Sequence, residues 1–368
     1  MFVIILLSAV TLMQAYVFWR AGSVPFLRRH VPRKFLIGTG LFFWAVFSIG
    51  RFAGHGGTGV PARMLELLGM YWMGVMLLTT VSLLAIDLVT GFGLLLPRLA
   101  PSLRGLALAA GGVLSLIAIV QGLRPPVVQD YEVRLSGLPH EMDGTVLVAM
   151  SDLHLGTLLG KQWLEARVAQ VEAEHPDLVV LLGDIFEGHG KPQKELIQGL
   201  HRLSAPLGVW AVLGNHEYRG RDTTATPLIT IDGVRALINS WAEVRPGLVL
   251  AGIADLTANY RSGLGGDPIS KALTGRPAGA TILLSHTPWQ AEKAAGAGAG
   301  LMLSGHTHGG QIWPFGYLVR FVYPLLEGRY NVDGMTVIVC RGTGTWGPRM
   351  RLWHPGEILR VTLRAEEK

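Results

Sequence analysis

Cysteine is almost missing from this sequence. Cys340 is the only one in 368 residues, so no internal disulfide can form and a disulfide-stapled secreted scaffold is excluded. Charge is scarce as well. Charged residues are 16% of the chain, where a soluble globular domain carries about 25%, which argues against one soluble globule. Acids are rarest near the start: residues 1–123 contain only Glu66 and Asp87, against nine lysines and arginines. The rest of the chain holds one acid more than it has bases, so the formal charge of +6 belongs wholly to the first third. A near-neutral remainder is a poor match for a phosphate backbone, and nucleic acid is not an expected partner. No internal repeat is present.

What the first third does have is long apolar runs: Phe2–Trp19, Phe35–Gly50, Leu67–Ile86 and Gly105–Leu123. A hydrocarbon core about 30 Å thick needs roughly 20 helical residues. These runs lack the polar face of a helix that packs on a soluble core. They predict a transmembrane domain of four helices over residues 1–124. No positive residue precedes Phe2–Trp19, and Tyr16-Val17-Phe18 is a poor cleavage site, so the first run is read as a retained helix rather than a signal peptide. Glu66 and Asp87 stand about 31 Å apart along a helix, one at each bilayer surface, which does not suggest a transport path. Arg20, Arg28, Arg29, Arg33, Lys34, Arg98 and Arg104 fall in the first and third loops, against Arg51, Arg63 and Arg124 on the other side. That bias makes the first and third loops cytoplasmic. With four spans, the chain after Leu123 would then lie outside the cytoplasm, on a multi-pass protein of the inner (cytoplasmic) membrane.

Arg124-Pro125-Pro126 ends the last run, because paired prolines cannot continue a helix. Residues 125–368 then read as one α/β domain. Short β-rich runs recur at Val146–Ala149, Leu178–Leu182, Val209–Leu213, Leu248–Ala251, Thr281–Leu284, Leu301–Leu303, Thr336–Val339 and Ile358–Leu363. Several are continuously apolar, as strands covered on both faces are. Lys161–Glu174 places Leu164, Val168 and Val171 at helical spacing and is closed by His175-Pro176. Ala291–Gly300 reads as a short helix and turn.

Five of these runs end in an abrupt polar step: Ser151-Asp152-Leu153-His154, Gly183-Asp184, Gly214-Asn215-His216-Glu217, Ser285-His286, and Ser304-Gly305-His306-Thr307-His308. Ligands of α/β sheets collect beyond the carboxyl ends of the strands. Carboxylate, amide and imidazole without thiolate suit divalent metals such as manganese, iron or zinc. Singly, an Asp after a strand is a turn former or cap, and a His is a satisfied surface or core residue. His30, His55, His140, His175, His189, His201 and His354 are left in that category. Five such steps in succession are not explained that way.

In their order these motifs resemble the calcineurin-like metallophosphoesterase superfamily: Asp-x-His, Gly-Asp, Gly-Asn-His-Glu, His, Gly-His-x-His, from Asp152 to His308. Gly309–Phe315 and Arg341–Pro348 are similar to the branch with membrane-anchored bacterial members. The resemblance implies a four-layer α/β/β/α sandwich with two mixed sheets flanked by helices. It further implies two divalent ions, manganese foremost and iron or zinc as substitutes. One would be held by Asp152, His154 and His308, the other by Asn215, His286 and His306, with Asp184 bridging. A hydroxide bridging the metals would attack phosphorus in line, while His216 contacts the phosphate and assists the leaving group. Glu217 is expected to support its turn.

Trp313–Leu326 is rich in aromatic and branched residues and begins five residues after His308. Such a stretch beside an active site can admit an acyl chain or dip into a bilayer, and Trp313 and Phe315 are the expected substrate contacts. Trp346, Trp353, Arg349 and Arg351 are candidates for its rim. The predicted activity is a membrane-bound phosphoesterase acting on a lipid-borne phosphate, a phospholipid headgroup or glycolipid precursor. The alternatives are a tethered phosphodiesterase for soluble diesters, or a pyrophosphatase for a nucleotide-linked lipid A precursor should the domain be cytoplasmic. A metal-binding scaffold without turnover is disfavoured by the complete ligand set and by His216. Metal-dependent turnover would separate it from the enzymes.

Overall fold

The computed structural model describes residues 2–51, 59–187, 193–218, 233–262 and 266–366; His55 and His189 lie outside them. The chain divides into two units, Met1–Arg124 with Gly347–Trp353, and Pro125–Trp346 with His354–Lys368.

The first unit contains α1 (Phe2–Ala21), α2 (Pro25–His30), α3 (Arg33–Ile49), α4 (Val60–Val89) and α5 (Ala100–Leu123). Three of these, α1, α4 and α5, are long and apolar enough to cross a membrane. That corrects the expectation of four. Helix α3 has 17 residues and begins with Arg33 and Lys34, which leaves an apolar stretch of roughly 22 Å against a core of about 30 Å. It packs inside the unit all the same. Trp44 donates to Thr11 at 2.8 Å and Gln14 to the Gly40 carbonyl at 2.6 Å. A Cβ at Gly69 would stand 2.9 Å from Phe47 Cα, and one at Gly111 2.7 Å from Thr79 Cα. Small residues at these crossings are what let α4 approach α3 and α5 so closely.

Glu66 and Asp87 are both buried. Asp87 is the centre of an ion cluster: Arg20 Nε lies 2.6 Å from Oδ2, Arg104 Nε 2.8 Å from Oδ1, and the Tyr16 hydroxyl donates at 2.6 Å. The last turns of α1 and α4 therefore meet the first turn of α5 at one carboxylate. In the same unit Arg351 is buried, its N–H donating to the Ala118 carbonyl, and Trp353 donates its N–H to Gln121.

The second unit runs β1 (Val127–Leu135), β2 (Val146–Met150), α6 (Lys161–Glu172), β3 (Leu178–Leu182), α7 (Lys194–Leu200), β4 (Val209–Val212), β5 (Val234–Ala236), β6 (Ser240–Arg245), β7 (Leu248–Gly252), α8 (Leu256–Ser262), α9 (Pro268–Leu273), β8 (Ala280–Leu284), α10 (Ala291–Gly296), β9 (Leu301–Ser304), α11 (Phe315–Val322), β10 (Gly328–Val332), β11 (Met335–Val339) and β12 (Glu357–Ala365). The strands form two mixed sheets, ordered β1-β12-β2-β3-β4-β5 and β10-β11-β9-β8-β7-β6. Alternation along each strand builds the layers. From β2, Leu147 and Ala149 join Val180, Val212, Leu250, Ile282 and Leu303 in the core between the sheets. Val148 and Met150 point the other way and pack with Leu164, Val168 and Leu196 of α6 and α7. Behind the second sheet, Leu283 and Met302 meet Ile269, Ala272 and Ala294 of α9 and α10. This is the expected α/β/β/α sandwich, and all eight predicted strands are present.

Candidate metal centre

The candidate side chains come from loops at the carboxyl ends of five strands, three in one sheet and two in the other. Asp152 and His154 follow β2, Asp184 follows β3, and Asn215 and His216 follow β4. His286 follows β8, and His306 and His308 follow β9. Asp152, His154, Asp184, His306 and His308 all have positive φ, between 44° and 73°. Non-glycine residues adopt that region rarely and at a cost, and such strain gathers at functional sites. Two glycines make the crowding possible. A Cβ at Gly214 would collide with Asp184, and one at Gly305 with Ser151 and Asp152.

Ligand-type atoms converge in three overlapping groups: Asp152, His154 and His308; His154, Asp184 and His216; Asp184, His286 and His306. His154 Nε2 is 3.2 Å from His308 Nε2, and His306 Nδ1 is 3.1 Å from His286 Nε2. His308 Nε2 is 3.4 Å from Asp152 Oδ1, and His286 Nε2 is 3.3 Å from Asp184 Oδ2. Two atoms each about 2.1 Å from one ion, at octahedral to tetrahedral angles, lie roughly 3.0–3.4 Å apart. The spacing thus fits shared cations. So do two buried oxygens, Asp152 Oδ1 and Asn215 Oδ1, which have no hydrogen-bond partner. Leaving such atoms unpaired costs free energy that a cation would offset.

The ring nitrogens turned away from the centre are held. His286 Nδ1 bonds the Leu182 carbonyl at 2.7 Å, leaving Nε2 for a ligand bond, and His306 Nε2 meets the Tyr323 hydroxyl at 2.8 Å, leaving Nδ1. One oxygen, Glu187 Oε2, accepts from Nδ1 of His154 at 2.7 Å and from Nδ1 of His216 at 2.6 Å. Such outer contacts set tautomer and orientation in metal sites. The Glu217 carboxylate accepts four backbone N–H groups, from Asp184, Ile185, Phe186 and Gly214, at 2.8–3.1 Å. It ties two site loops together.

The electrostatics are those of an anionic pocket. Burial opposes ionisation of Asp184, yet the His286 and His216 imidazoles hold its carboxyl well below the usual carboxylate range. Burial likewise opposes a proton on His286, but the Asp184 carboxylate holds one there well above the imidazole range. A charge that draws a proton to that nitrogen also draws a cation. Burial and the neighbouring His286 push His306 down to about 3, so its imidazole is neutral, as a ligand must be.

All seven sequence-predicted metal ligands and His216 come from this one set of loops, and seven of the eight belong to the converging groups. Asn215 joins them through its orphan Oδ1. Trp313 and Phe315 do not belong to the groups; Trp313 is half-buried, and Phe315 opens α11 and is 44% exposed. The buried Arg351 is unavailable as a rim. Sequence reasoning missed Glu187 and Tyr323. An acid three residues past Asp184 was the available signal for the first. Tyr323 was absorbed in an apolar stretch.

A two-sheet α/β sandwich with a dimetal-type cluster at its strand ends defines a class of phosphoesterase. Comparison places the chain within it. The calcineurin-like phosphoesterase family matches residues 145–310. A zebrafish (Danio rerio) "transmembrane protein with metallophosphoesterase domain" is 35% identical over 271 residues, covering 70% of this chain and 62% of that protein. An uncharacterized metallophosphoesterase of Aquifex aeolicus is 33% identical over 244 residues, 65% of this chain and 92% of the relative. A crystal structure of a dimetal phosphatase from Danio rerio aligns with 15% identity and a TM-score of 0.35, over 55% of this chain and 88% of that one. The chain belongs to the calcineurin-like phosphoesterase family. It spans 62% of the length of the zebrafish protein and of its bovine counterpart.

Proposed function

We propose that the protein is a membrane-bound phosphoesterase that hydrolyses a phosphoester or phosphodiester on a lipid-borne molecule, a phospholipid headgroup or glycolipid precursor. The observation that carries the hydrolytic reading is the convergence of ligand atoms at 3.1–3.4 Å around two orphaned oxygens. In this reading Asp152, His154 and His308 hold one divalent ion, Asn215, His286 and His306 the other, and Asp184 serves both. The donor set suits manganese, iron or zinc. Bound there, two such ions supply Lewis acidity to a phosphoryl group and lower the pKa of coordinated water.

The chain's own side chains orient and move protons. Because a carboxylate can only accept, His216 Nδ1 carries the proton given to Glu187, and Nε2 is left for a phosphoryl oxygen or leaving group. His216 Nε2 stands 3.8 Å from Asp184 Oδ2, so it addresses the atoms gathered by the shared carboxylate. With both ring nitrogens protonated, it can give the Nε2 proton to the leaving oxygen as the ester bond breaks, Nδ1 keeping its own toward Glu187. The lipid preference is supported by three helices of membrane length and by an exposed aromatic helix that leads into Tyr323 and the site.

We place the second unit on the extracytoplasmic side. Arg20 ends α1 and Asp87 ends α4, and they pair, so these two helices run in the same direction. The chain must then return between them; in this reading α3, shorter than a full span but bonded along α1 through Trp44 and Gln14, carries it back. Arg20 and Arg104 are committed to Asp87. The five other basic residues of their loops still outnumber Arg51, Arg63 and Arg124.

The test is turnover by the full chain with added Mn²⁺, on detergent-dispersed phospholipids and on soluble aryl phosphodiesters. His216→Ala should lower kcat by about 10²–10⁴-fold with metal retained, and Asp184→Ala should lose metal and activity together. Cleavage of soluble diesters alone would sink the lipid assignment. A reporter fused after Lys368 reads the side directly, and a cytoplasmic signal would overturn the placement.

A further inference from the structure

Helix α11 wears its apolar face outward. In a soluble protein the apolar stripe of a surface helix turns to the core. Here Phe315, Leu318 and Val322 recur at i, i+3 and i+7, with Tyr317 and Phe321 at i, i+4 beside them. They are 44%, 62%, 56%, 64% and 86% exposed respectively, and no residue of the helix is buried. The protein-facing side is made by Gly316, which approaches the Gly310 backbone, by half-buried Val319, and by Tyr323 just past the helix. Trp289 stacks on Tyr323 and donates to the Val322 carbonyl at 3.2 Å. The scaffold therefore grips one side of α11 and holds the other, with its aromatic rings, away from itself.

We infer that this face inserts into the interfacial layer of the bilayer in which the same chain is anchored. The occupant follows from chain continuity. Only Arg124-Pro125-Pro126 separate α5 from β1, and three residues reach at most about 10 Å, so the second unit never leaves the neighbourhood of a membrane. Gln311, four residues before α11, exchanges hydrogen bonds with the backbone of Trp346, at 3.0 Å each way. Arg320, exposed and the one charge on α11, has the long stem that lets a guanidinium rise to headgroup phosphates while its neighbours sit deeper. An apolar face crowned with aromatics and flanked by a base is the composition that partitions to the interface. The helix C-terminus leads into Tyr323, whose hydroxyl bonds His306 at 2.8 Å. A docked α11 thus brings the metal centre to headgroup level. The inference rests on the membrane-bound reading and extends it to where the substrate would enter.

The experiment uses the full chain in vesicles of phosphatidylcholine and phosphatidylglycerol. Cys340 is first replaced by Ala, and a single environment-sensitive fluorophore is attached at Phe321→Cys or, as a control on an exposed site, at Tyr260→Cys. Blue-shifted emission at 321, quenched by doxyl-labelled lipid and protected from iodide, is expected, with the reverse at 260. Quenching of the 321 probe by iodide as at 260 would overturn docking. So would protection from both quenchers, which would mean that a second copy or another protein covers the face. Independently, Leu318→Glu with Phe321→Glu should lower kcat/KM on dispersed phospholipid by about tenfold or more, with soluble diester hydrolysis unchanged. If the probe reads lipid and no lipid is hydrolysed, docking stands and the substrate assignment falls. Equal loss on both substrates would overturn the role given to the face.

Discussion

Replacing Glu187 is the perturbation that tests how the metal centre is organised. One carboxylate oxygen holds Nδ1 of His154 at 2.7 Å and Nδ1 of His216 at 2.6 Å. It is therefore asked to fix a ligand and the proposed proton donor at once. A hydrogen bond to a charged partner contributes about 1.5–3 kcal/mol, equivalent to roughly 10- to 150-fold in a rate when it is lost only in the transition state. Glu187→Ala should lower kcat by that factor on a soluble aryl phosphodiester, with KM moved little. Glu187→Gln keeps an acceptor oxygen but not the charge, and should retain part of the activity. The two roles separate in a double-mutant cycle. In a His216→Ala background, Glu187→Ala has no proton donor left to position, so any further loss must come through His154 and be matched by loss of bound metal. Metal content is measured on the same samples. Glu187→Ala within about threefold of the parent at full metal occupancy would refute the positioning role. So would full additivity of the two substitutions in kcat with metal content unchanged.

Other substitutions read the scaffold. Arg341 pairs with buried Glu357 through Nε at 2.9 Å and Nη2 at 2.5 Å; Arg341→Ala strands that carboxylate and should cost about 3 kcal/mol, lowering the thermal transition in detergent by roughly 6–12 °C. Asp267 caps α9 by accepting from Ser270 N–H and pairs with Lys293 at 2.7 Å, and the Lys293 ammonium with the Ser270 hydroxyl holds its carboxyl down to about 2. A depressed folded-state pKa contributes stability above the unfolded value near 4 and loses it as pH falls through about 2. The gap in transition temperature between the parent and Asp267→Asn should therefore close over that window, small because the pair is a surface one; a gap independent of pH would contradict the assignment. Asp87→Ala leaves two buried guanidiniums without their carboxylate and should destabilise the helical unit by about 3–5 kcal/mol, seen as early melting of the full chain in detergent. Stripping metal with a chelator should lower the melting temperature of the second unit and Mn²⁺ should restore it; no shift would count against a bound ion.

The strands that sequence reading found and missed divide by position in the sheets. All eight predicted runs are interior strands, where neighbours on both sides and layers on both faces leave room only for apolar residues. Among the described residues the four unpredicted strands, β1, β5, β6 and β10, are the four sheet edges. Asp130, Glu132 and Arg134 punctuate β1, and Gly328-Arg329-Tyr330-Asn331 opens β10, because an edge facing water accepts and needs polar residues. The proposed metal ligands stood out for the converse reason: each stands just past an interior strand, and turn or cap roles do not explain five such polar steps together. Glu187 gave no such step, and its partner His216 is brought to it by the fold. Composition likewise marked Trp313–Leu326 as apolar and aromatic but could not say that part of it forms a helix whose apolar side faces out. That depends on Gly316 and Tyr323 being the residues the scaffold grips.

The ligand set also links chemistry to stability. Asp152, His154, Asp184 and Asn215 belong to one sheet, and His286, His306 and His308 to the other. In the proposed assignment each ion takes ligands from both sheets. The distances that matter, 3.4 Å from His308 to Asp152 and 3.3 Å from His286 to Asp184, run between the sheets. They are held by the apolar layer around Val180, Ile282 and Leu303. An ion bound there therefore acts as a staple between sheets, adding RT ln(1 + [L]/Kd) to their packing. By the same linkage, a cavity in that layer must weaken the ion. Leu303→Ala, two residues before Gly305, should cost about 2–5 kcal/mol in stability and lower metal affinity as well. An equally destabilising cavity on the outer face, at Leu164 of α6, should leave affinity nearly intact. Equal loss of affinity in the two variants would show that the centre responds to global stability and not to the register of the sheets.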